Sequence, residues 1–399
     1  MSRKHRLGRV GVALAAAGSL FFAAAACSSS KVAVGSSSLA GSQSGKLPSI
    51  INIYSLRDMT GIYAFSGVPA VDGAQLAFAE INSTHFLGNT RLSMTIGDPA
   101  GNAQTAASLA TAAVASHKYA AILGPLFGSE SLVTAPIAEK AGVPVIFTES
   151  NVDGVLLGKY TFRATAPTVS YYGIMAEYLK AKGIKTINII YDSTIIAEVD
   201  VFKYVQSTFE SQYGIKVVGS TGVQGDTKDF SAPASRVLSS KAESVGLYLS
   251  GPANATAVQQ LRQAGFTGPI IASNGAGAGN LKGAGSAGAG VAWPTDFSAA
   301  ETNASAQAFI SAYRSKYHTG PNNYAAEGYD AAWFLARGIK AAQSADPAAV
   351  ADGLGTVAEQ GFQGAMGRIT FDENDMRTQP VIVQWTGTAE TVIPTPASS

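Results

Sequence analysis

From Ile50 onward, short apolar runs alternate with longer segments whose apolar residues recur every three or four positions. "SIINIYSL", "RLSMTIGD", "YAAILG" and "VPVIFT" read as strands, and "VPAVDGAQLAFAEINS", "AQTAASLATAAVAS" and "SLVTAPIAEKAG" as helices between them. Pro136 falls within the last of these, so that helix is expected either to kink there or to start later. After "FRATAPT" (Phe162 to Thr168) the alternation restarts. The helices "VSYYGIMAEYLKAKG", "VDVFKYVQSTFESQYG", "APASRVLSSKA" and "ATAVQQLRQAG" alternate with the strands "TINIIYD", "KVVGSTGV", "SVGLYLSG" and "PIIAS". A glycine-rich stretch (Asn274 to Gly290) follows, then two helical stretches, "SAQAFISAYRSKY" and "YAAEGYDAAWFLARGIKAAQ", and two closing β-like runs, "GRITFD" and "VIVQWTG". Apolar strands alternating with helices imply parallel sheets covered on both faces. Two successive series imply an α/β protein of two similar, doubly wound lobes.

The first 48 residues follow different rules. "MSRKHRLGR" is a basic n-region and "VGVALAAAGSLFFAAAA" an apolar segment ending in small residues, together the pattern of a secretory signal over residues 1–26. The run "AAAC" resembles a bacterial lipobox, in which Cys27 becomes the lipidated first residue of the mature chain. Residues 27–48 are dominated by serine and glycine and read as a tether. Such a coil of about twenty residues spans on the order of 25 Å root-mean-square. No later apolar run approaches membrane-spanning length.

Composition narrows the function. Of 28 basic side chains, Arg3, Lys4, Arg6 and Arg9 precede Cys27; without those four, 24 face 27 acids, a net charge of −3. That is no nucleic-acid footprint, which needs a basic face. The single cysteine forms no internal disulfide and has no companions for a metal cluster. His5, His85, His117 and His318 are scattered without ligand spacing, so no metal and no cofactor is expected. Neither a G-x-S-x-G elbow nor a G-x-x-x-x-G-K-[ST] loop occurs. "GAGSAG" (Gly283 to Gly288) satisfies G-x-G-x-x-G, but no strand leads into it and no clear helix leaves it, so it reads as a mobile loop.

Several stretches, in order, carry a resemblance. They are "MTGIYAFSG" (Met59 to Gly67), "DGAQLAFAEIN", "GDPAGNAQTA", "ILGPLFGSES", "KAGVPVIFT", "LRQAGF", "GPNNYAAEGYDAAWFLA" and "GRITFDENDMRTQPVIVQW". From Ile50 to Pro394 the chain resembles the type I periplasmic substrate-binding proteins, in the leucine/isoleucine/valine-binding branch that serves ATP-binding-cassette (ABC) importers. The resemblance implies two lobes, each discontinuous in sequence: residues 49–166 and 296–372 in lobe 1, 167–295 and 373–394 in lobe 2. Three chain crossings, near Ala166, Asp296 and Glu373, then form a hinge.

Open α/β sheets bind ligands beyond the carboxyl ends of their strands. The loop "PLFGSES" leads from a strand into a helix start, where Gly128 and Ser129 suit an anion, although Ser129 or Ser131 could equally be a helix N-cap. By resemblance, Gly128 stands where a ligand-contacting serine usually sits, and Ser129 could substitute. Glu149, Ser150 and Asn151 align with the edge that holds the ligand carboxylate. Glu149 is out of place beside an anion; it either pairs with Arg163 or recognises a cationic or hydrogen-bond-donating group. In lobe 2, Asn274 replaces the acid that holds a ligand ammonium, and Ile196 and Pro252 replace two aromatics. Ser66 occupies an aromatic-wall position with Tyr63 nearby, and Tyr324 starts a helix that could reach the cleft.

These readings favour a non-enzymatic, lipid-anchored receptor on the extracytoplasmic face. It would deliver a small polar solute (amino acid, amide or relative) to ABC permease subunits, and that solute is expected not to be a standard branched-chain amino acid. A ligand sensor reporting to a membrane signalling partner is the alternative, and an exported enzyme the weakest third.

Overall fold

The structure, a computed structural model, describes residues 47–394 apart from Asn151 and Ala278. The expected signal, most of the tether, Cys27 and the candidate Asn151 lie outside the described residues.

The first series forms β1 (Ile50–Leu56), α1 (Ala64–Ser83), β2 (Arg91–Gly97), α2 (Ala103–Ala115), β3 (Ala121–Leu123), α3 (Gly128–Ala141), β4 (Val145–Phe147) and β5 (Thr161–Arg163). The second forms α4 (Tyr172–Ala181), β6 (Thr186–Asp192), α5 (Ile196–Tyr213), β7 (Lys216–Val223), α6 (Ser231–Ser240), β8 (Ser244–Tyr248), α7 (Ala253–Gln263), β9 (Ile270–Ala272) and β10 (Ala292–Thr295). The remainder supplies α8 (Ala304–Tyr317), α9 (Asn323–Ala342), α10 (Pro347–Gln360), β11 (Phe362–Gly364), β12 (Gly367–Asp372), β13 (Asp375–Arg377), β14 (Val381–Trp385) and β15 (Glu390–Ile393).

Two sheets result, ordered β11-β12-β13-β5-β4-β3-β1-β2 and β15-β14-β10-β9-β8-β6-β7. Strand alternation feeds both faces of each. On β1, Ile51 and Ile53 join a core under α1, α8, α9 and α10, while Tyr54 and Leu56 join another under α2 and α3. On β6, Ile187 and Ile189 point to one face and Ile190 to the other. This is the doubly wound, two-lobed α/β architecture that the alternation implied.

The chain passes from the first sheet to the second between β5 and β6, and back after β10. Thr165 on the first passage donates to Asp296 on the second at 3.2 Å, as does the Tyr171 hydroxyl at 3.3 Å. Glu373 does not mark the third crossing. β13 lies beyond it and still belongs to the first sheet, paired to β12 and β5. An ion pair of 2.8 Å between Arg163 and Asp375 holds it there, so the chain crosses at residues 378–380.

Other differences have local causes. Pro136 lies inside α3 rather than before it, because that helix starts at Gly128. The expected glycine-rich mobile loop contains short 3-10 turns between Lys282 and Gly288, broken at Gly285 (φ 52°) and fastened by the Trp385 indole N–H donating to the Gly285 carbonyl at 3.0 Å. Helix α10 was not anticipated, although Asp346 caps it by accepting from the Ala348 and Ala349 amides. α1 and α9 cross closely where both are glycine. A Cβ on Gly73 would stand 1.9 Å from the Ala325 carbonyl oxygen, and one on Gly328 2.1 Å from that of Ala70. This crossing sets the ends of α1 and α9 side by side at the cleft.

Candidate functional site

Strand ends and helix starts of both lobes enclose a cavity of about 70 Å³. The first lobe contributes the 3-10 turn ending at Tyr63, the start of α1, the start of α3, the second residue after β4 and the start of α9. The second lobe contributes the start of α5 and the turns after β8 and β9. The cavity therefore sits beyond the carboxyl edges of both sheets, as doubly wound topology requires.

Seven expected residues meet there: Tyr63, Ser66, Gly128, Ser129, Glu149, Ile196 and Asn274. Tyr63 stacks on Phe127 with ring centroids 3.6 Å apart. Ser66 is buried and spends its hydroxyl on the Tyr63 carbonyl at 2.9 Å, a helix-start contact. Gly128 and Ser129 open α3. The N-cap position belongs to Phe127, so neither Ser129 nor Ser131 caps that helix. Ile196 opens α5 at the cavity wall, 39% exposed.

Glu149 is the junction between the lobes. The Asn274 side-chain amide, from the second lobe, donates to both its carboxylate oxygens at 3.1 Å. Within the first lobe, Asn323 donates to it at 2.8 Å and also to Glu327 at 3.1 Å. Burial raises the Glu149 carboxyl pKa, while its bond to Glu327 and the two asparagine donors pull it back. Its φ of 53° is left-handed, an uncommon conformation for a residue with a side chain. The ion pair expected with Arg163 does not form. That guanidinium is engaged by Asp375 and donates to the Ser150 carbonyl at 3.1 Å.

Two expected residues do not line the cavity. Ser150 is buried behind Glu149, where its carbonyl serves Arg163. Pro252 is exposed just ahead of α7, because the left-handed turn at Gly251 carries the chain outward; Ser250 reaches the cavity instead.

The residue of most chemical consequence was not anticipated. Glu198, in the first turn of α5, is 5% exposed and lines the cavity. One of its oxygens, Oε1, accepts from the hydroxyls of Ser273 at 2.8 Å and Ser250 at 3.2 Å; Oε2 has no hydrogen-bond partner among the described residues. Burial pushes this carboxyl up to about 7 against the pull of the two serines. An acid in a first helical turn is the ordinary complement of the helix dipole, and this hides its role in the sequence. Phe65, packed edge-on against Tyr324 at 5.8 Å, and Phe127 complete the aromatic wall. Tyr324 does reach the cleft. Among the described residues, no lysine, arginine or histidine lines the cavity and no group of side chains is arranged to hold a metal ion.

Known proteins place this geometry. The leucine-binding protein LivK of Thermotoga maritima superposes with a TM-score of 0.78 at 27% identity, covering 86% of this chain and 98% of that one. A solute-binding protein of an ABC transporter from R. palustris, solved with benzoate, gives 0.78 at 19% identity over 86% of this chain and 95% of its own, a likeness of fold. The leucine-, isoleucine-, valine-, threonine- and alanine-binding protein of Pseudomonas aeruginosa is 26% identical over 323 residues, 79% of this chain and 84% of that protein. With a family model matched over residues 51–388 as well, the chain belongs to the periplasmic binding proteins, the extracytoplasmic solute receptors of ABC transporters.

Proposed function

We propose that this protein is the receptor of an ABC importer, closing its two lobes on a small polar solute and presenting it to the permease subunits. The observation that carries the reading is the cavity itself. It is lined by both lobes, which the Asn274–Glu149 bond joins at the lining and three chain passages connect. A ligand touching both walls favours the closed form by its differential affinity for that form. The solute is not a standard branched-chain amino acid. Asn274 brings a donor rather than an acid to the cleft and directs it at Glu149, so it offers no charge to a ligand ammonium. The lipobox supports attachment through Cys27, which keeps the receptor beside the membrane.

Small-angle scattering on the purified protein, with and without a solute found by calorimetry, tests this reading. A bound solute should compact the particle and be recovered unchanged. A saturated protein of unaltered dimensions, or a chemically converted solute, overturns it.

A further inference from the structure

Resting on that receptor reading, we propose that the solute is a compact organic cation, an alkylammonium or guanidinium without a carboxylate, whose charge is received by Glu198. Two features converge. Glu198 is buried, lines the cavity and keeps Oε2 without a hydrogen-bond partner among the described residues. A buried carboxylate oxygen left unpaired costs free energy that a cationic donor recovers. The opposite wall is aromatic. Tyr63 stacks on Phe127, Phe65 meets Tyr324 edge-on, and all four residues line the same cavity as Glu198. Ring faces attract a desolvated cation and give nothing comparable to an anion.

Charge balance gives the same sign. Glu149 and Glu198 line the cavity from opposite lobes, and among the described residues no lysine, arginine or histidine lines it. A ligand carboxylate would crowd these acids, and an ammonium relieves them. Size is the last constraint. A cavity of about 70 Å³ takes roughly five waters, or a solute of roughly five to eight heavy atoms.

The probes are choline, putrescine and methylguanidine, with leucine and benzoate as comparators, titrated calorimetrically into the purified protein. At least one cation should bind, and Glu198→Gln should weaken it by at least about tenfold. That substitution keeps the oxygen that accepts from Ser250 and Ser273, and an unchanged melting temperature without ligand shows that it folds. Phe65→Leu, which removes a ring and leaves every carboxylate, should also weaken the cation. Binding should strengthen as pH rises through 7, as Glu198 ionises amid the acids Asp192 and Glu149 and the phenols Tyr172, Tyr248 and Tyr324. Failure of all three cations to bind at millimolar concentration overturns the proposal, as does a cation affinity indifferent to Glu198→Gln. Leucine or benzoate binding with compaction, in the absence of cation binding, overturns the cation and leaves the receptor reading standing. A cation that binds without compaction overturns the receptor reading instead.

Discussion

Replacing Asn274 by alanine separates lobe closure from lobe stability. Its side-chain amide is the donor that reaches across the cleft, 3.1 Å from each Glu149 oxygen. Both contacts come from a single nitrogen, so they count as one hydrogen bond to a carboxylate, worth about 1.5–3 kcal/mol. The lower end applies. The contacts are long for a charge-assisted bond, and Glu149 also bonds with Glu327, which dilutes its charge. A loss of about 1.5 kcal/mol from the closed form alone moves the closed-to-open ratio roughly tenfold toward open.

Asn323→Ala is the control, because Asn323 donates to the same carboxylate at 2.8 Å from within the first lobe. Its loss should lower the melting temperature and leave the closed-to-open ratio in place. The assay is single-molecule energy transfer between dyes on cysteines introduced at the exposed Ser108 of α2 and Ser239 of α6, in a Cys27→Ser background. If Asn274→Ala leaves the ratio within twofold of the parent, or if Asn323→Ala shifts it equally, the Asn274–Glu149 contact does not latch the lobes.

Three further outcomes are expected. Gly73→Ala drives a methyl group into the Ala325 carbonyl and should cost about 2–3 kcal/mol in thermal denaturation, whereas Gly355→Ala, with open space around it, should be neutral or slightly stabilising. Burial holds Glu130 and Asp296 up to about 8 and Glu198 and Asp330 up to about 7. The folded state therefore keeps protons that the unfolded chain gives up above about pH 4, and the melting temperature should fall as pH rises from about 5 to 8. Below about pH 4 it should fall as well, since the hydrogen bonds of Thr60, Ala100 and Met59 outweigh burial at Asp98 and hold that carboxyl low. Cys27→Ser should move the protein from the membrane fraction to the soluble fraction, read by immunoblot after ultracentrifugation.

The parts of the fold legible in the sequence are those where burial writes a strong pattern. "TINIIYD" and "VPVIFT" are nearly continuous apolar runs because parallel strands are covered on both faces. Helix α10 was hidden by its composition: Gly353 and Gly355 weaken it intrinsically, and Gly353 is there because a Cβ would stand 2.1 Å from the Gly338 carbonyl oxygen of α9. β13 was hidden by brevity. "DMR" has no strand pattern, and its place comes from pairing with β12 and from its partnership with Arg163, more than two hundred residues earlier. At the site, the resemblance located strand ends, and so found Glu149 and Asn274. It could not assign their partners, because Arg163 looks available in sequence and is already taken by Asp375 in space.

The same interactions tie the ligand's charge to the hinge. Glu149 faces the cavity, yet its field also raises the proton affinity of Asp296 and of Glu327. Asp296 in turn accepts from Thr165 and Tyr171, which joins two of the three chain passages. A positive charge entering the cavity would offset the Glu149 field that burdens the carboxylates behind it. Closure over a neutral or anionic solute would gain no such relief, the preference expected of a receptor for the proposed cation. That shared preference would be difficult to build from the cavity wall alone. It arises because α9 carries Asn323 and Glu327 to the point where the cleft and the crossings meet.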